Sequence, residues 1–263
     1  MTNNFPFRGL QGIPNLFTLL NLVFGCIAIV FILQNGIVAT VDESGTQLIN
    51  MPEKIWIASL FIGLAALVDF FDGFIARLFK VTSEIGKQLD SLADVVSFGV
   101  APGMIIYQFL RLSYAQQQNG LEISFIWLVI AFLIPAAAAY RLAIFNIGSS
   151  QQYSFKGVPT PAVGLVVASL PLIYWNVNEA WAIQLLLNKW FLYALILLLS
   201  YLMVSTLPMM SLKFKEFSLK NNLPKYILLV IAIISIIALK WPSVPVIFIA
   251  YILVSLLFKN KIA

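Results

Sequence analysis

Four aspartates lie at the ends of strongly apolar segments, and their residue type predicts a metal site. They are Asp69, Asp72, Asp90 and Asp94. A carboxylate at the centre of a membrane helix costs roughly 2.5–3.5 kcal/mol, less near an interface, and neighbouring carboxylates repel one another. Such a cluster persists where a cation neutralises it. Oxygen ligands without histidine or thiolate favour a hard divalent cation, for which we consider Mg²⁺, Mn²⁺ and Ca²⁺.

The spacing of the aspartates places them on two helix faces that meet. Asp69 and Asp72 are three residues apart on one helix, and Asp90 and Asp94 are four apart on the next, so each pair shares a face. A short turn around residues 78–85 would make the two helices antiparallel neighbours. Four carboxylates can share two ions, and paired metals suit in-line displacement at phosphorus because they hold the attacking and leaving oxygens. The alternative is a structural network of ion pairs, for which few internal cations are present.

Small residues continue both helix faces. Gly73 and Ala76 follow the first aspartate pair, and Gly86 precedes the second. They leave the backbone bare, so that a flat base or a phosphate can approach it, although the same residues would also allow close helix packing. Arg77 offers a planar fork for phosphate oxygens, or an anchor at the membrane interface.

The composition predicts an all-α integral membrane protein. Of 263 residues, 61% are hydrophobic and 10% are charged, with a mean hydropathy of +0.94, whereas soluble domains carry about 25% charged residues. A water-soluble globule and a nucleic-acid-binding protein are thereby excluded. Apolar stretches of about 20 residues span a bilayer. They predict about eight transmembrane helices, near 15–33, 55–77, 88–112, 122–146, 159–176, 188–208, 225–240 and 243–258.

Basic residues set the expected orientation. If both termini are cytoplasmic, four of the sixteen Lys and Arg residues fall outside, namely Lys54, Arg111, Lys189 and Lys240. This bias favours cytoplasmic termini and puts the four aspartates at the cytoplasmic interface. We expect the first span to be retained, since neither a basic run nor a small-residue cleavage site precedes it. A bacterial inner membrane is the expected location.

Missing residue types limit the chemistry. The chain has no histidine and one cysteine, Cys26, which excludes histidine-based triads, histidine zinc sites and an internal disulfide. Carboxylates, basic side chains, hydroxyls and the backbone must therefore carry any reaction.

The spaced residues resemble the signature of the CDP-alcohol phosphatidyltransferase family at every fixed position. The match reads Asp69-x2-Asp72-Gly73-x2-Ala76-Arg77-x8-Gly86-x3-Asp90-x3-Asp94. Within the family the resemblance is strongest to the type II, integral-membrane phosphatidylserine synthases. Five further segments support it: IPNLFTLLNLVFG (13–25), DSLADVVSFGVAPG (90–103), AAYRLAIFN (138–146), KGVPTPAVGL (156–165) and LMVSTLPMMSLK (202–213).

The resemblance implies a fold, a reaction and cofactors. The fold is a single membrane domain over 1–263, with a six-helix catalytic core at about 10–212 and a cytoplasmic loop and two extra helices at about 213–263. Such enzymes are typically homodimers whose site faces the cytoplasm. The implied reaction transfers a phosphatidyl group from CDP-diacylglycerol to L-serine and releases CMP. The implied cofactors are two divalent cations, Mg²⁺ or Mn²⁺.

The resemblance also implies roles for individual residues. Asp69, Asp72 and Asp90 resemble ligands of one metal ion, and Asp69, Asp90 and Asp94 resemble ligands of a second. Asp90 and Asp94 are the implied catalytic pair, with Asp94 as the general base. The positions implied in CDP binding are Asn15, Thr18, Gly73, Ala76, Arg77, Ser83 and Gly86.

We infer the acceptor site from the expected membrane depth of two basic residues and the polarity of two serines. Arg141 and Lys156 lie at the depth expected for the cytoplasmic interface, where they could bind a serine carboxylate or simply set the topology. Ser91 and Ser97 follow the catalytic aspartates closely and could line the acceptor pocket or pack between helices. No Ser, Cys or His is placed for a covalent intermediate, so we expect direct in-line displacement.

Two alternatives remain open on the sequence alone. The first keeps the family but changes the acceptor to glycerol 3-phosphate, inositol or choline. A phosphorylated acceptor would need more basic residues beside the aspartates than Arg141 and Lys156. The second is a divalent-cation transporter, which would need polar groups near the bilayer midplane, whereas these carboxylates cluster at one interface.

Overall fold

The computed structural model describes residues 12–41, 47–79, 83–117, 120–147, 156–211 and 219–258, and these residues are almost entirely helical. The α-helices are α1 (Gly12–Gln34), α2 (Trp56–Phe79), α3 (Glu84–Asp94), α4 (Ala101–Ala115), α5 (Leu133–Ile147), α6 (Thr160–Asn176), α7 (Ala180–Leu186), α8 (Lys189–Val204), α9 (Leu219–Leu239) and α10 (Ser243–Leu257). A π-helical turn, Val95–Val100, joins α3 to α4. Short 3₁₀ turns lie at Glu53–Ile55, Gly120–Glu122, Phe125–Trp127 and Val129–Phe132.

The helices confirm an all-α membrane protein. Five stretches are long and apolar enough to cross a bilayer: Asn15–Gln34, Glu53–Ile75, Glu84–Ala115, Phe125–Ile147 and Asn222–Leu239. A sixth is formed if α7 and α8, which are bent by 62°, count as one span. The remaining apolar helices, α6 and α10, have 17 and 15 residues, against about 20 for a complete crossing. Eight complete crossings therefore stay a prediction.

Several helix boundaries differ from the predicted ones. The third span begins at Glu84, earlier than predicted, because Ser83 caps α3 by accepting a hydrogen bond from the Gly86 backbone N–H at 2.9 Å. The predicted helix near 122–146 is regular only from Leu133, since Pro135 has no N–H to donate and is best placed in a first turn. The predicted helix near 188–208 ends at Val204, shortly before Pro208, and a separate helix, α7, precedes it.

A β-hairpin occupies the predicted outer loop near 34–54. Strand β1 (Val38–Val41) pairs antiparallel with β2 (Gln47–Asn50), and Val38 lies opposite Asn50. The hairpin was not predicted, although β-branched residues favour strands. The Tyr174 hydroxyl donates a hydrogen bond to Asn50 Oδ1 at 2.7 Å, which ties the hairpin to the end of α6.

Loops from different parts of the chain contact each other at the two ends of the helix bundle. At one end, Lys189 at the start of α8 donates to Gln117 after α4 at 3.0 Å. At the opposite end, Lys156 before α6 forms a backbone bridge with Pro208 after α8. Each contact joins two connections that the predicted spans put on the same side of the membrane, and the alternation of all the spans stays a prediction.

The π-helical turn packs against several helices. Ser97 lies against Gly25 of α1, and Phe98 lies against Gly164 of α6. Helix α5 also packs against this turn. A π-turn is uncommon and often occurs beside functional sites, and this one begins directly after Asp94.

The C-terminal helices α9 and α10 form a hairpin, as predicted. They pack against each other across a break at Lys240, which has a φ of 53°. Helix α10 also packs against α6 of the core. Most of the predicted cytoplasmic loop before α9, residues 212–218, lies outside the described residues.

The substitution Gly25→Ala tests the close approach of α1 to the π-helical turn. A Cβ at this position would lie 2.3 Å from Ser97 Oγ and 2.9 Å from Ser97 Cα, and the second contact involves backbone. We expect a loss of about 1–3 kcal/mol of stability, seen as a lower thermal unfolding midpoint in detergent. Gly63→Ala is the matched control, because nothing lies within 4 Å of the added Cβ. Equal midpoints for the two variants would contradict the close packing.

Candidate active site and metal centre

Three of the four aspartates converge. Asp69 of α2 and Asp90 and Asp94 of α3 each present a carboxylate oxygen, and these oxygens lie within 4.8 Å of one another. Asp94 is buried and the other two are partly buried. Oxygens bound to one divalent cation at about 2.0–2.6 Å are at most about 5 Å apart. The arrangement and the all-carboxylate donor set therefore fit a single hard divalent cation.

The fourth aspartate, Asp72, lies beside this group and has a partner of its own. It is buried, and the Thr18 hydroxyl donates a hydrogen bond to its carboxylate. It also interacts electrostatically with Asp69 and Asp90. The structure thus brings together one of the two predicted ligand sets, Asp69, Asp90 and Asp94, and leaves Asp72 bonded to α1.

Helix α1 positions the carboxylates of both neighbouring helices. Among the described residues, α2 and α3 pack only slightly against each other, whereas α1 packs against both. Thr18 contacts Asp72 on α2, and one turn further along, Asn21 Nδ2 donates to Asp94 Oδ1 on α3 at 3.1 Å. One polar face of α1 therefore bonds an aspartate from each of the two helices.

Asn21 is a site residue that the sequence interpretation missed. It is fully buried, and its backbone carbonyl accepts a hydrogen bond from the Ser97 hydroxyl at 3.0 Å. Its side-chain Oδ1 is buried without a hydrogen-bond partner among the described residues. The available signal was its position three residues after Thr18, which continues the polar face of an otherwise apolar helix.

Arg141 interacts electrostatically with the aspartate cluster through Asp94. Its Nη1 donates to the Thr160 hydroxyl at the start of α6 at 3.3 Å. Its Nε is buried without a hydrogen-bond partner among the described residues. A buried donor without a partner is costly.

The residues implied in CDP binding lie along α1, α2 and the start of α3. Asn15 and Gly86 approach closely, since a Cβ at Gly86 would lie 2.9 Å from Asn15 Oδ1. Gly73 is partly buried on α2, and Ser83 caps α3. The side chains of Ala76 and Arg77, in the last turns of α2, lie outside the described residues.

The three other residues considered for acceptor binding have different surroundings. Ser97 is a fully buried residue of the π-helical turn, and its hydroxyl is bonded to the Asn21 carbonyl of α1. The Ser91 hydroxyl accepts a hydrogen bond from Asn146 Nδ2 at 2.9 Å, which joins α3 to α5. Lys156 is exposed, next to the start of α6. Arg141, the fourth predicted residue, interacts electrostatically with Asp94 of the aspartate cluster.

Comparison with known proteins gives the family. The sequence model of the CDP-alcohol phosphatidyltransferase family matches residues 11–202, and the chain belongs to this family. It is therefore an enzyme of a metal-dependent family, and the transporter alternative is set aside.

Several curated relatives carry the name CDP-diacylglycerol–serine O-phosphatidyltransferase. The one from Helicobacter pylori (strain ATCC 700392 / 26695) is 32% identical over 86% of this chain and 81% of its own. The one from Bacillus subtilis (strain 168) is 32% identical over 62% of this chain and 76% of its own. The one from Mycobacterium tuberculosis (strain ATCC 25618 / H37Rv) is 29% identical over 92% of this chain and 76% of its own.

The substitution Asp90→Asn tests the metal centre directly. It removes one charge from the cluster while nearly keeping the side-chain shape, so we expect the affinity for Mn²⁺, measured by calorimetry on the purified protein, to fall at least about tenfold. Glu84→Gln is the matched control on the same helix, since Glu84 is an exposed acid of its first turn. Unchanged Mn²⁺ affinity in Asp90→Asn would exclude Asp90 as a ligand.

Proposed function

We propose that the chain transfers the phosphatidyl group of CDP-diacylglycerol to the hydroxyl of L-serine, giving phosphatidylserine and CMP. The family membership and the names of the relatives support the reaction. The observation that carries the choice of acceptor is a pair of buried polar atoms, Asn21 Oδ1 and Arg141 Nε, that have no hydrogen-bond partner in the part of the chain that the structure describes.

Four carboxylates would hold the metal ions. Asp69, Asp90 and Asp94 would bind one divalent cation, and Asp72 would join Asp69 and Asp90 around a second. The close approach of the first three oxygens supports the first ion, and the electrostatic contact of Asp72 with Asp69 and Asp90 supports the second. Bound Mg²⁺ or Mn²⁺ would offset the negative charge that grows on the diphosphate as its bond to CMP breaks.

Asp94 is the proposed general base. A serine hydroxyl is a poor nucleophile near neutral pH and needs a carboxylate within hydrogen-bond reach. Asn21 donates to Asp94 Oδ1 and so fixes the carboxylate that would take the hydroxyl proton. The serine oxygen then bonds to the phosphatidyl phosphorus while the bond from that phosphorus to the CMP oxygen breaks.

The surroundings of Asp94 suit an amino-acid zwitterion. Asn21 Oδ1 is a buried acceptor and Arg141 Nε a buried donor, and both lack a partner among the described residues. Asn21 bonds Asp94 directly, and Arg141 interacts with it electrostatically. An ammonium group needs an acceptor and a carboxylate needs a donor, so L-serine would satisfy both atoms while presenting its hydroxyl to the base.

Direct displacement agrees with the hydroxyl groups around the site. The Thr18 hydroxyl is bonded to Asp72, and the Ser97 hydroxyl to the Asn21 carbonyl. Both hydrogen bonds join α1 to a neighbouring helix. We propose one displacement step without a phosphatidyl-enzyme intermediate.

The distribution of the basic residues supports a proposal for the orientation of the protein in the membrane. The predicted spans put twelve of the sixteen basic residues on the same side of the membrane as the aspartates, so the active site would face the cytoplasm. A bacterial inner membrane and a homodimer are further parts of this proposal, the second implied by the family resemblance.

Product identification tests the proposed reaction. Purified protein with Mn²⁺ and CDP-diacylglycerol is offered serine, glycerol 3-phosphate, inositol or choline separately, and CMP and lipid products are measured. We expect phosphatidylserine with serine alone, and no CMP burst before serine is added. Asp94→Asn should lower kcat about 10²–10⁴-fold, since it removes the base. Its control is Glu122→Gln, an exposed acid at the opposite end. Product from another acceptor instead of serine would overturn the acceptor assignment.

Replacement of Arg141 tests the serine carboxylate site. We expect Arg141→Ala to raise the serine KM about 10- to 100-fold, because a charged hydrogen bond contributes about 1.5–3 kcal/mol. The KM for CDP-diacylglycerol should change little. Arg111→Ala is the matched control, since Arg111 bonds Gln108 and lies at the opposite end of the bundle. A serine KM equal to that of the control would refute the role.

A further inference from the structure

A cavity of about 230 Å³ lies at the end of the bundle where α4 finishes. Its lining combines apolar side chains with two residues that carry hydrogen-bond donors: Ile37, Ile123, Phe125 and Leu128, and Tyr107 and Arg111. Tyr107 and Arg111 are four residues apart on α4, so they share one face of that helix. Sites that enclose a drug-sized ligand have about 300–1,000 Å³. This cavity is smaller and suits a single polar group.

The guanidinium of Arg111 is the charged group in the lining. Its Nη1 donates to Gln108 Oε1 at 3.3 Å, and its central carbon lies 6.0 Å from the centre of the Tyr107 ring. Within the described part of the chain, Arg111 forms no ion pair with any acid, and this includes Glu122 of the turn that follows α4. A partly buried cation is stabilised by a counter-ion, so the cavity favours an anionic ligand.

The position of Arg111 along its helix indicates which anion is available. Asp90 and Arg111 belong to one helical stretch, Glu84–Ala115, which is long and apolar enough to cross a bilayer. They are separated by roughly 31 Å at 1.5 Å per residue, and the hydrocarbon core is about 30 Å thick. Charged side chains are costly inside that core. The aspartates and Arg111 therefore fit opposite interfaces, and lipid phosphates lie at both.

Aromatic side chains also mark this end of the bundle as an interface. Trp127 and Trp190 are exposed, and the Tyr193 hydroxyl donates to the Trp127 carbonyl at 2.9 Å. Tryptophan and tyrosine are enriched where a membrane meets water. Phe125, which lines the cavity, is itself 60% exposed. The cavity thus borders an apolar surface on which acyl chains can lie.

We propose that this cavity binds the phosphate group of a phospholipid from the leaflet opposite to the active site, and that Arg111 holds the phosphate oxygens. The planar fork of a guanidinium matches a phosphate with two parallel hydrogen bonds. The bound lipid would join α4, which carries Arg111, to the turns that carry Ile123 and Phe125. The site goes beyond the proposed function and uses none of its residues.

A lipid titration tests the site. Purified protein in a neutral detergent is titrated with dioctanoyl-phosphatidylglycerol, and the thermal unfolding midpoint is followed. We expect a rise of about 5 °C at a lipid concentration about a hundredfold above Kd, because the lipid binds the folded protein. No rise would overturn the proposal.

Two further compounds identify the part of the lipid that binds. Dioctanoylglycerol has the same acyl chains without the phosphate, and we expect it to leave the midpoint unchanged. Inorganic phosphate supplies the anion without the chains, and we expect a smaller rise than with the lipid at the same concentration. An equal rise with either compound would overturn a phospholipid as the ligand.

Two variants locate the binding in the cavity. Arg111→Ala should raise the Kd for the lipid at least about tenfold, since it removes charged hydrogen bonds. Ile123→Trp keeps the charge but fills the cavity, and should weaken binding to a similar extent. Lys54→Ala is the matched control, because Lys54 is an exposed cation that the predicted spans put on the same side of the membrane and that does not line the cavity. Its Kd should equal that of the wild type.

A merely structural role of Arg111 makes a different prediction. Gln108, which accepts the hydrogen bond from Arg111, donates to the Ile32 carbonyl near the end of α1 at 3.5 Å. If Arg111 only supports this contact, Arg111→Ala should lower the midpoint without lipid and leave the Kd for the lipid unchanged. Binding of the lipid elsewhere on the protein would likewise leave the Kd unchanged in both cavity variants. Either result would overturn the proposal.

Discussion

Repulsion among carboxylates at one end of an apolar bundle is the constraint on which the rest of the site depends. Asp69, Asp90 and Asp94 present oxygens within 4.8 Å of one another, in a chain with only 10% charged residues. In a medium of low dielectric such a group needs a cation, hydrogen-bond donors or both. The protein places an amide from α1 and the guanidinium of Arg141 beside Asp94. A divalent cation would complete the neutralisation.

The polar face of α1 can bond aspartates on α2 and α3 because α1 packs closely against both helices. Thr18 and Asn21 have short side chains, which reach a carboxylate on another helix only if the two backbones are near. Gly25 permits that approach, since a larger residue would collide with Ser97. The small residue Gly25 brings the helix backbones together, and the short polar side chains one or two turns away depend on that approach to reach the aspartates. The hydrogen bonds to the carboxylates therefore depend on the close packing of the helices.

Local spacing predicted one part of the site, and long-range contacts determined the rest. The intervals between Asp69 and Asp72 and between Asp90 and Asp94 are helical, so the sequence was enough to place each pair on one face. The partners of these residues are far away in the chain: Asn21 meets Asp94 across 73 positions, and Tyr251 meets Met210 across 41. No periodic pattern encodes such a pairing. The 3₁₀ turns within the predicted span near 122–146 were missed because, in an apolar chain, the hydrophobic signal that marks a span hides the shorter structure within it. The hairpin was missed because it lies in a segment that was predicted as a loop.

The π-helical turn after Asp94 has a consequence for the angular register of the longest helical stretch. An i→i+5 turn takes up one residue more than an α-helical turn, so everything beyond it is rotated by about one residue step, roughly 100°. The stretch Glu84–Ala115 can therefore direct its carboxylates at α1 and, past the turn, its apolar side chains at α6. A one-residue deletion within Val95–Val100 would leave a continuous helix that is out of phase with one of its two sets of neighbours. This stretch must therefore do more than form a helix: its side chains must also keep the angular positions that face α1 before the turn and α6 after it.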